Sequence, residues 1–148
     1  MRYQSRPGKC GPAVIVNALR CFGKRVSERS ISKLAGWSEN GVDEFGIQKC
    51  LTELSYSFEE NEVSNRDEAW GWLVKQLTAG RPVIIYIFND QHWVLAAGVV
   101  NGRIIMIDSG NTKGNHKENG VHVLGRVEFL KRWRCATTGL YYGLGVYK

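Results

Sequence analysis

The spacing of apolar positions changes near residue 80. Ahead of that point it is helical. Residues 12–22 are mostly apolar and stop at Gly23. Residues 27–35 open on Ser27, whose oxygen suits a helix N-cap. They carry Ile31 and Leu34, and Gly36 stands just past the end. Residues 46–54 align Ile47, Leu51 and Leu54. Residues 65–78 begin at Asn65, place Asp67 and Glu68 where the helix dipole favours anions, and repeat Trp70, Leu73 and Leu77. After Gly80-Arg81-Pro82 the language is that of strands, over 83–88, 93–100 and 103–108. The last two are joined by Val100-Asn101-Gly102, a hairpin signal because Asn and Gly tolerate positive φ. Residues 109–120 form a polar loop, 121–124 suit a short strand, 127–133 a short helix and 140–147 a final strand. Helices first and a mainly antiparallel sheet afterwards make an α+β chain of two lobes. The helical part covers about 1–80 and the sheet part about 81–148, and a length of 148 residues without repeats or linkers suits one domain.

Composition narrows the class. Apolar residues make up 43% and charged residues 23%, which suits a packed core and excludes a disordered or fibrous chain. The longest apolar runs, 83–88 and 93–100, fall far short of the roughly 18 residues that a membrane span needs. The first residues, MRYQSRPGKCGP, hold no apolar stretch of a secretory signal, so a cytoplasmic location is expected. Lys and Arg number 20 against 14 Asp and Glu, a net charge of +6. That favours acidic partners, but no stripe of Arg interleaved with aromatics is present, and nucleic acid is not expected as a partner. The cluster Lys131-Arg132-Trp133-Arg134 reads as a cationic last helical turn. Trp37, Trp70, Trp72, Trp93 and Trp133 are expected mostly in the core.

The chemistry starts from the cysteines. None of Cys10, Cys21, Cys50 and Cys135 has CxxC spacing, and the histidines make no HExxH, so neither a zinc site nor a disulfide framework is expected. Cys21, Cys50 and Cys135 lie in or beside apolar segments and read as buried small hydrophobes. Cys10 differs. It precedes Gly11-Pro12 and an apolar helix, and Pro is favoured in a first helical turn. The sulfur is thereby placed at a helix N-terminus, where aligned peptide dipoles stabilise a thiolate. Lys9 and Arg6 add positive charge nearby, and Gly11 removes a side chain where a substrate backbone would approach.

A thiolate nucleophile wants an imidazole partner. His92, at the mouth of a strand, is the candidate. His116 and His122 read as solvated or locally bonded. The imidazole in turn wants an acceptor, and Asp108 and Asn111 both offer one. Hairpin register separates them. A regular two-residue loop at Asn101-Gly102 sets His92 opposite Asn111 and points Asp108 to the other face. A three-residue loop, or a bulge at Gly98, sets His92 opposite Gly110 with Asp108 as its same-face diagonal neighbour. Gln4, in a polar extended stretch, is either a solvated side chain or an amide donor to an oxyanion beside the Cys10 N–H. Trp93, with Gly11, is a candidate substrate-binding residue; it either shields the His92 site from water or packs behind it, because neighbouring strand residues face opposite ways.

Taken in order, Gln4, Cys10-Gly11-Pro12-Ala13, His92-Trp93-Val94-Leu95 and Asp108 resemble the papain-like cysteine peptidases of the bacteriocin-processing, double-glycine leader type. Residues 126–133 are similar to the helix before the final strand of that family, and the resemblance spans nearly the whole chain. It implies a papain-like fold, with a Cys10–His92–Asp108 triad and Gln4 in the oxyanion hole. The activity it implies is that of an endopeptidase cutting after small residues such as Gly-Gly. By the same resemblance the partner is a peptide or protein substrate, and no metal or organic cofactor is needed. Family members often carry Asp-Pro after the His strand; Asp108-Ser109 keeps Asn111 in play as the alternative acid position. The best-known members are fused to a transporter and an ATPase, whereas this chain is expected to be free-standing. Two alternatives stand beside hydrolysis: acyl transfer of the deamidase or transglutaminase kind, and a non-catalytic peptide-binding module on the same fold.

Overall fold

The computed structural model describes residues 9–87, 92–110 and 120–148. Three helices come first: α1 (Cys10–Arg20), α2 (Glu28–Ala35) and α3 (Glu44–Glu53). Then follow β1 (Ser57–Val63), α4 (Arg66–Thr78), β2 (Val83–Ile87), β3 (His92–Val100), β4 (Arg103–Ile107), β5 (Val121–Leu124), α5 (Arg126–Trp133) and β6 (Tyr141–Tyr147). Local chemistry accounts for most helix boundaries. Ser27 accepts from the Ser30 N–H, and Gly36 ends α2 at φ 70. Asn65 accepts from the N–H groups of Asp67 and Glu68 at the start of α4. α3 begins two residues ahead of the expected start, because Asp43 caps it by accepting from the Gly46 N–H. Among the described residues, no helix is long and apolar enough to cross a membrane.

Among the described residues six strands form one antiparallel sheet, in the order β1-β6-β2-β3-β4-β5. Its two faces are both covered. Ile15, Leu19, Ile31 and Leu51 of α1–α3 pack against Ile84, Trp93, Leu95 and Leu144. On the other face Leu73, Phe129 and Trp133 of α4 and α5 pack against Val83, Ile85, Val94 and Met106. The helical stretch before residue 80 is therefore divided: α4 lies across the sheet from α1–α3.

One strand escaped the sequence pattern. β1 reads Ser-Phe-Glu-Glu-Asn-Glu-Val, rich in residues that strands ordinarily avoid. Its composition suits an edge, where charge discourages pairing with another chain. It is held by seven paired positions on β6, from Ser57↔Tyr147 to Val63↔Tyr141. Its acids are also bonded on both faces: Glu60 accepts from the Tyr142 hydroxyl at 2.5 Å, and Glu59 from Trp72 Nε1 at 3.0 Å. The tryptophans are less buried than expected. Trp93 and Trp133 are in the core, while Trp37, Trp70 and Trp72 are half-buried.

The β3–β4 hairpin settles the register question. Asn101 and Gly102 have φ 52 and 73, a tight two-residue turn with Val100 opposite Arg103. The pairing then shifts between Ala96 and Gly98, leaving Ala97 as an extra residue, so Leu95 faces Ile107.

Gly46 marks the closest approach of α2 and α3. A Cβ there would stand 2.4 Å from the Ala35 carbonyl oxygen, a backbone atom that cannot swing aside. Gly46→Ala is expected to cost about 1–3 kcal/mol, the usual range for overpacking. Urea unfolding checks this, and an unchanged midpoint would show that the two helices separate freely.

Candidate active site

Cys10 is the first residue of α1 and is half-buried. Two backbone N–H groups, of Gly11 and Trp93, donate to its sulfur, and its side chain is hydrogen bonded to His92. His92 opens β3, where it pairs Ile87. Asp108 follows the last residue of β4 and is held by the sheet, its N–H donating to Gly120 O at 2.7 Å. The extra residue at Ala97 turns Asp108 to the face of His92. His92 Nε2 lies 2.6 Å from Asp108 Oδ1, which leaves Nδ1 for the sulfur. The same Oδ1 accepts the Gly110 N–H at 2.8 Å, a turn that fixes the carboxylate.

The electrostatics follow from this chain of contacts. Burial works against the charged form of each group, and the neighbours outweigh it. Cys10 is lowered from the ordinary thiol value despite burial, by the His92 hydrogen bond, the Trp93 and Gly11 N–H groups and the His92 charge. His92 is burdened by burial yet pushed up from 6.5 to about 10 by its bonds to Asp108 and Cys10. Asp108 is lowered against its burial by His92, by the Gly110 N–H and by the charge of nearby His122. Between the lowered Cys10 value and about 10, the stable form is a thiolate–imidazolium pair backed by a carboxylate. Such a pair holds a nucleophile and an acid in one place.

The structure changes the reasons given for several residues. Gly11 is buried, and a Cβ on it would stand 2.9 Å from Val42 Cβ and 3.7 Å from Trp93 Cδ1. The room at Gly11 is thus filled by the protein's own Val42 rather than kept for a substrate backbone. Trp93 packs behind the site. It is 3% exposed, donates from Nε1 to Val42 O at 2.9 Å, and packs at a tilt against the Tyr86 ring with centroids 4.5 Å apart. Val42, Tyr86, Trp93, Tyr142 and Glu44 line a cavity of about 440 Å³. Lys9 does not face the sulfur; its ammonium donates to Ser32 Oγ at 3.0 Å. Cys50 and Cys135 are buried as expected, whereas Cys21 is exposed. Gln4, Arg6, Asn111 and His116 lie outside the described residues.

Gly110 is a site residue that the sequence pattern missed. A Cβ on it would stand 3.0 Å from His92 Nε2 and 3.1 Å from Asp108 Oδ1. The available signal was Asp108-Ser109-Gly110 itself, since an Asp side chain readily bonds the N–H two residues on.

The Peptidase C39 family matches residues 1–136. Among solved structures, the chain is similar to the peptidase domain of Streptococcus ComA, a bifunctional ABC transporter of a quorum-sensing pathway. The TM-score is 0.71 at 21% identity, over 98% of this chain and 95% of that one. It is also similar to a double glycine motif protease from an AMS/PCAT transporter, solved with its leader peptide. There the TM-score is 0.70 at 18% identity, over 97% of this chain and 87% of that one. A C39-like peptidase from Bacillus anthracis aligns with a TM-score of 0.67 at 15% identity, over 100% of this chain and 94% of that one. At these identities the likeness speaks for the fold. No curated protein matches the chain.

Two outcomes follow from the site's geometry. His92→Ala removes the bond and charge that lower the Cys10 thiol but leaves its burial. The midpoint of Cys10 alkylation is therefore expected to move up past the ordinary thiol value of about 8.5. Peptide mass spectrometry reads each cysteine, with Cys50, raised to about 11 by burial and Glu53, as the unreactive control. An unmoved Cys10 midpoint would disprove the ion pair. Gly110→Ala is expected to part His92 from Asp108 and to bring the His92 titration, followed by NMR, down from about 10 towards 6.5.

Proposed function

The chain belongs to the Peptidase C39 family and is a cysteine-type peptidase, and we propose that it cuts peptides after a pair of small residues such as Gly-Gly, using Cys10, His92 and Asp108. The observation that carries the reading is the chain of contacts from the sulfur of Cys10, at the start of α1, through His92 to Asp108, just past β4. The proposed bond preference is supported by the fold shared with the double glycine motif protease that holds a leader peptide.

The Cys10 thiolate attacks the scissile carbonyl carbon. The C–S bond forms as the carbonyl π pair moves to oxygen. The Cys10 N–H and the Gln4 amide stabilise that oxyanion. Collapse breaks the C–N bond, and the leaving nitrogen takes its proton from the His92 imidazolium. Water then attacks the thioester with His92 as general base, releasing the acid and restoring the thiolate. Asp108 keeps Nε2–H directed at itself, so that Nδ1 faces the sulfur and the leaving group. These steps balance with the chain's own groups and water. The cavity walled by Val42 and by Trp93, the neighbour of His92, is the place for a substrate side chain.

A synthetic peptide with one internal Gly-Gly pair tests the reading. Mass spectrometry is expected to show a new carboxylate after the second Gly, and no product with Cys10→Ala. A product that retains added amine in place of water would point to acyl transfer. Tight peptide binding with no cleavage would point to a binding module. Asp108→Asn is expected to lower kcat by about 100-fold or more, the usual reach of a lost acid–base arrangement. The kcat profile should fall on its alkaline side near pH 10, where His92 loses its proton. An alkaline limb near 6.5 would show that His92 acts without the raised value that its bonds to Asp108 and Cys10 give it.

A further inference from the structure

We infer that Lys9 is a positioning residue: tethered to α2, its side chain sets the tilt of the peptide plane that presents the Cys10 N–H to the developing oxyanion. This rests on the peptidase reading above. Lys is a poor local choice at this place on two counts. Lys9 is the N-cap of α1, at φ −94 and ψ 14, yet its side chain makes no capping hydrogen bond. The position ordinarily takes Ser, Thr, Asp or Asn, whose oxygens accept from the first turn. Its charge also opposes the positive end of the helix dipole. A residue that breaks local rules marks a place where some other requirement decides.

The requirement here is tertiary. The Lys9 ammonium donates to Ser32 Oγ at 3.0 Å and lies 3.8 Å from the centroid of the Trp37 ring. Both partners are themselves fixed. Ser32 is buried and its hydroxyl donates to Glu28 O at 2.8 Å. The Trp37 N–H donates to Ser32 O at 2.9 Å, across the left-handed Gly36 that ends α2. The cation is therefore gripped by a hydrogen bond and a ring face that share one rigid corner.

The first turn of α1 shows what the grip controls. Pro12 has no N–H, and the Gly11 N–H is directed to the Cys10 sulfur. Among the described residues the Cys10 N–H is the remaining donor of the three. It shares a planar peptide unit with the Lys9 carbonyl, and that carbonyl accepts from the Ala13 N–H at 3.0 Å. The unit is held on the helix side by Ala13 and on the outer side by the Lys9 side chain. Without the outer anchor the unit is held by the Ala13 bond alone, and its tilt is less closely fixed. A hydrogen-bond donor misplaced by about 1 Å can cost 100-fold in rate.

The test separates orientation from the state of the thiolate, in a Cys21→Ser background that removes the exposed thiol. Reaction with 2,2′-dipyridyl disulfide is sulfur attacking sulfur and forms no oxyanion. Acylation by p-nitrophenyl acetate forms the S–C bond through an oxyanion and releases nitrophenolate as a burst. Lys9→Met is expected to lower the acylation rate about 10-fold or more while the disulfide reaction keeps its rate and pH profile. Lys9→Arg, which retains a cation and N–H donors, is expected to recover most of the loss. Ser32→Ala keeps Lys9 and is expected to slow acylation in the same direction by a smaller factor; it decides the matter if Lys9→Met does not fold. Equal losses in both reactions, a loss in the disulfide reaction alone, or no change in either would overturn the inference. Absence of any Cys10-dependent nitrophenolate release from the parent protein, as a burst or in the steady state, would sink the triad reading above, and the positioning role with it.

Discussion

A strand shows its side chains alternately to two faces, so a single extra residue decides which groups can meet across a hairpin. Ala97 is that residue. With the Asn101-Gly102 turn alone, Asp108 would face away from His92. With Ala97 bulged out, the two side chains come to 2.6 Å. Everything else in the site assumes this parity. Gly110 clears the space in which the pair meets, Gly120 holds the Asp108 backbone, and α1 brings the sulfur to the remaining imidazole nitrogen. The bulge is a local irregularity of the kind that re-aims a side chain.

The three groups are also tied together energetically. Each is partly withdrawn from water, which disfavours its charge, and each is kept charged by its neighbours. The consequence for stability has a definite sign. His92, raised from 6.5 to about 10, contributes stability that is full below about 6.5 and is lost as pH rises through about 10. Asp108, lowered, contributes stability that is full above its unfolded value near 4 and is lost as pH falls through its folded one. The arrangement therefore supports the fold across the neutral range.

The surroundings divide the labour in a consistent way. Trp93, on the sheet face under α1–α3, and Val42, just before α3, close the back of the site and fill the space at Gly11. The α1 N-terminus supplies N–H groups, and the tether from Lys9 to Ser32 and Trp37 joins that terminus to its neighbour α2.

Much of this was legible in the sequence because it is local. Caps at Ser27 and Asn65, the stop at Gly36, the Asn101-Gly102 turn and the helix opening at Cys10 depend on residues within a few positions of one another. The candidates Cys10, His92 and Asp108 could be named from residue type and order, and the two registers that would or would not unite them could be written down beforehand. The choice between those registers was not legible, because a bulge at Ala97 depends on how β3 packs against β2 and both helical layers. β1 was hidden for a related reason: Glu and Asn have little strand preference of their own, and only pairing with β6 makes the segment a strand. Gly110, Lys9 and Gly11 took their roles from atoms that are distant in the chain or brought close by the turn: the His92 ring, Ser32 and Trp37, and Val42. The sequence by itself determined which groups were present and which local turns and caps they would make. The tertiary structure decided which faces they share and what surrounds them, because register and burial are settled by contacts between segments far apart along the chain.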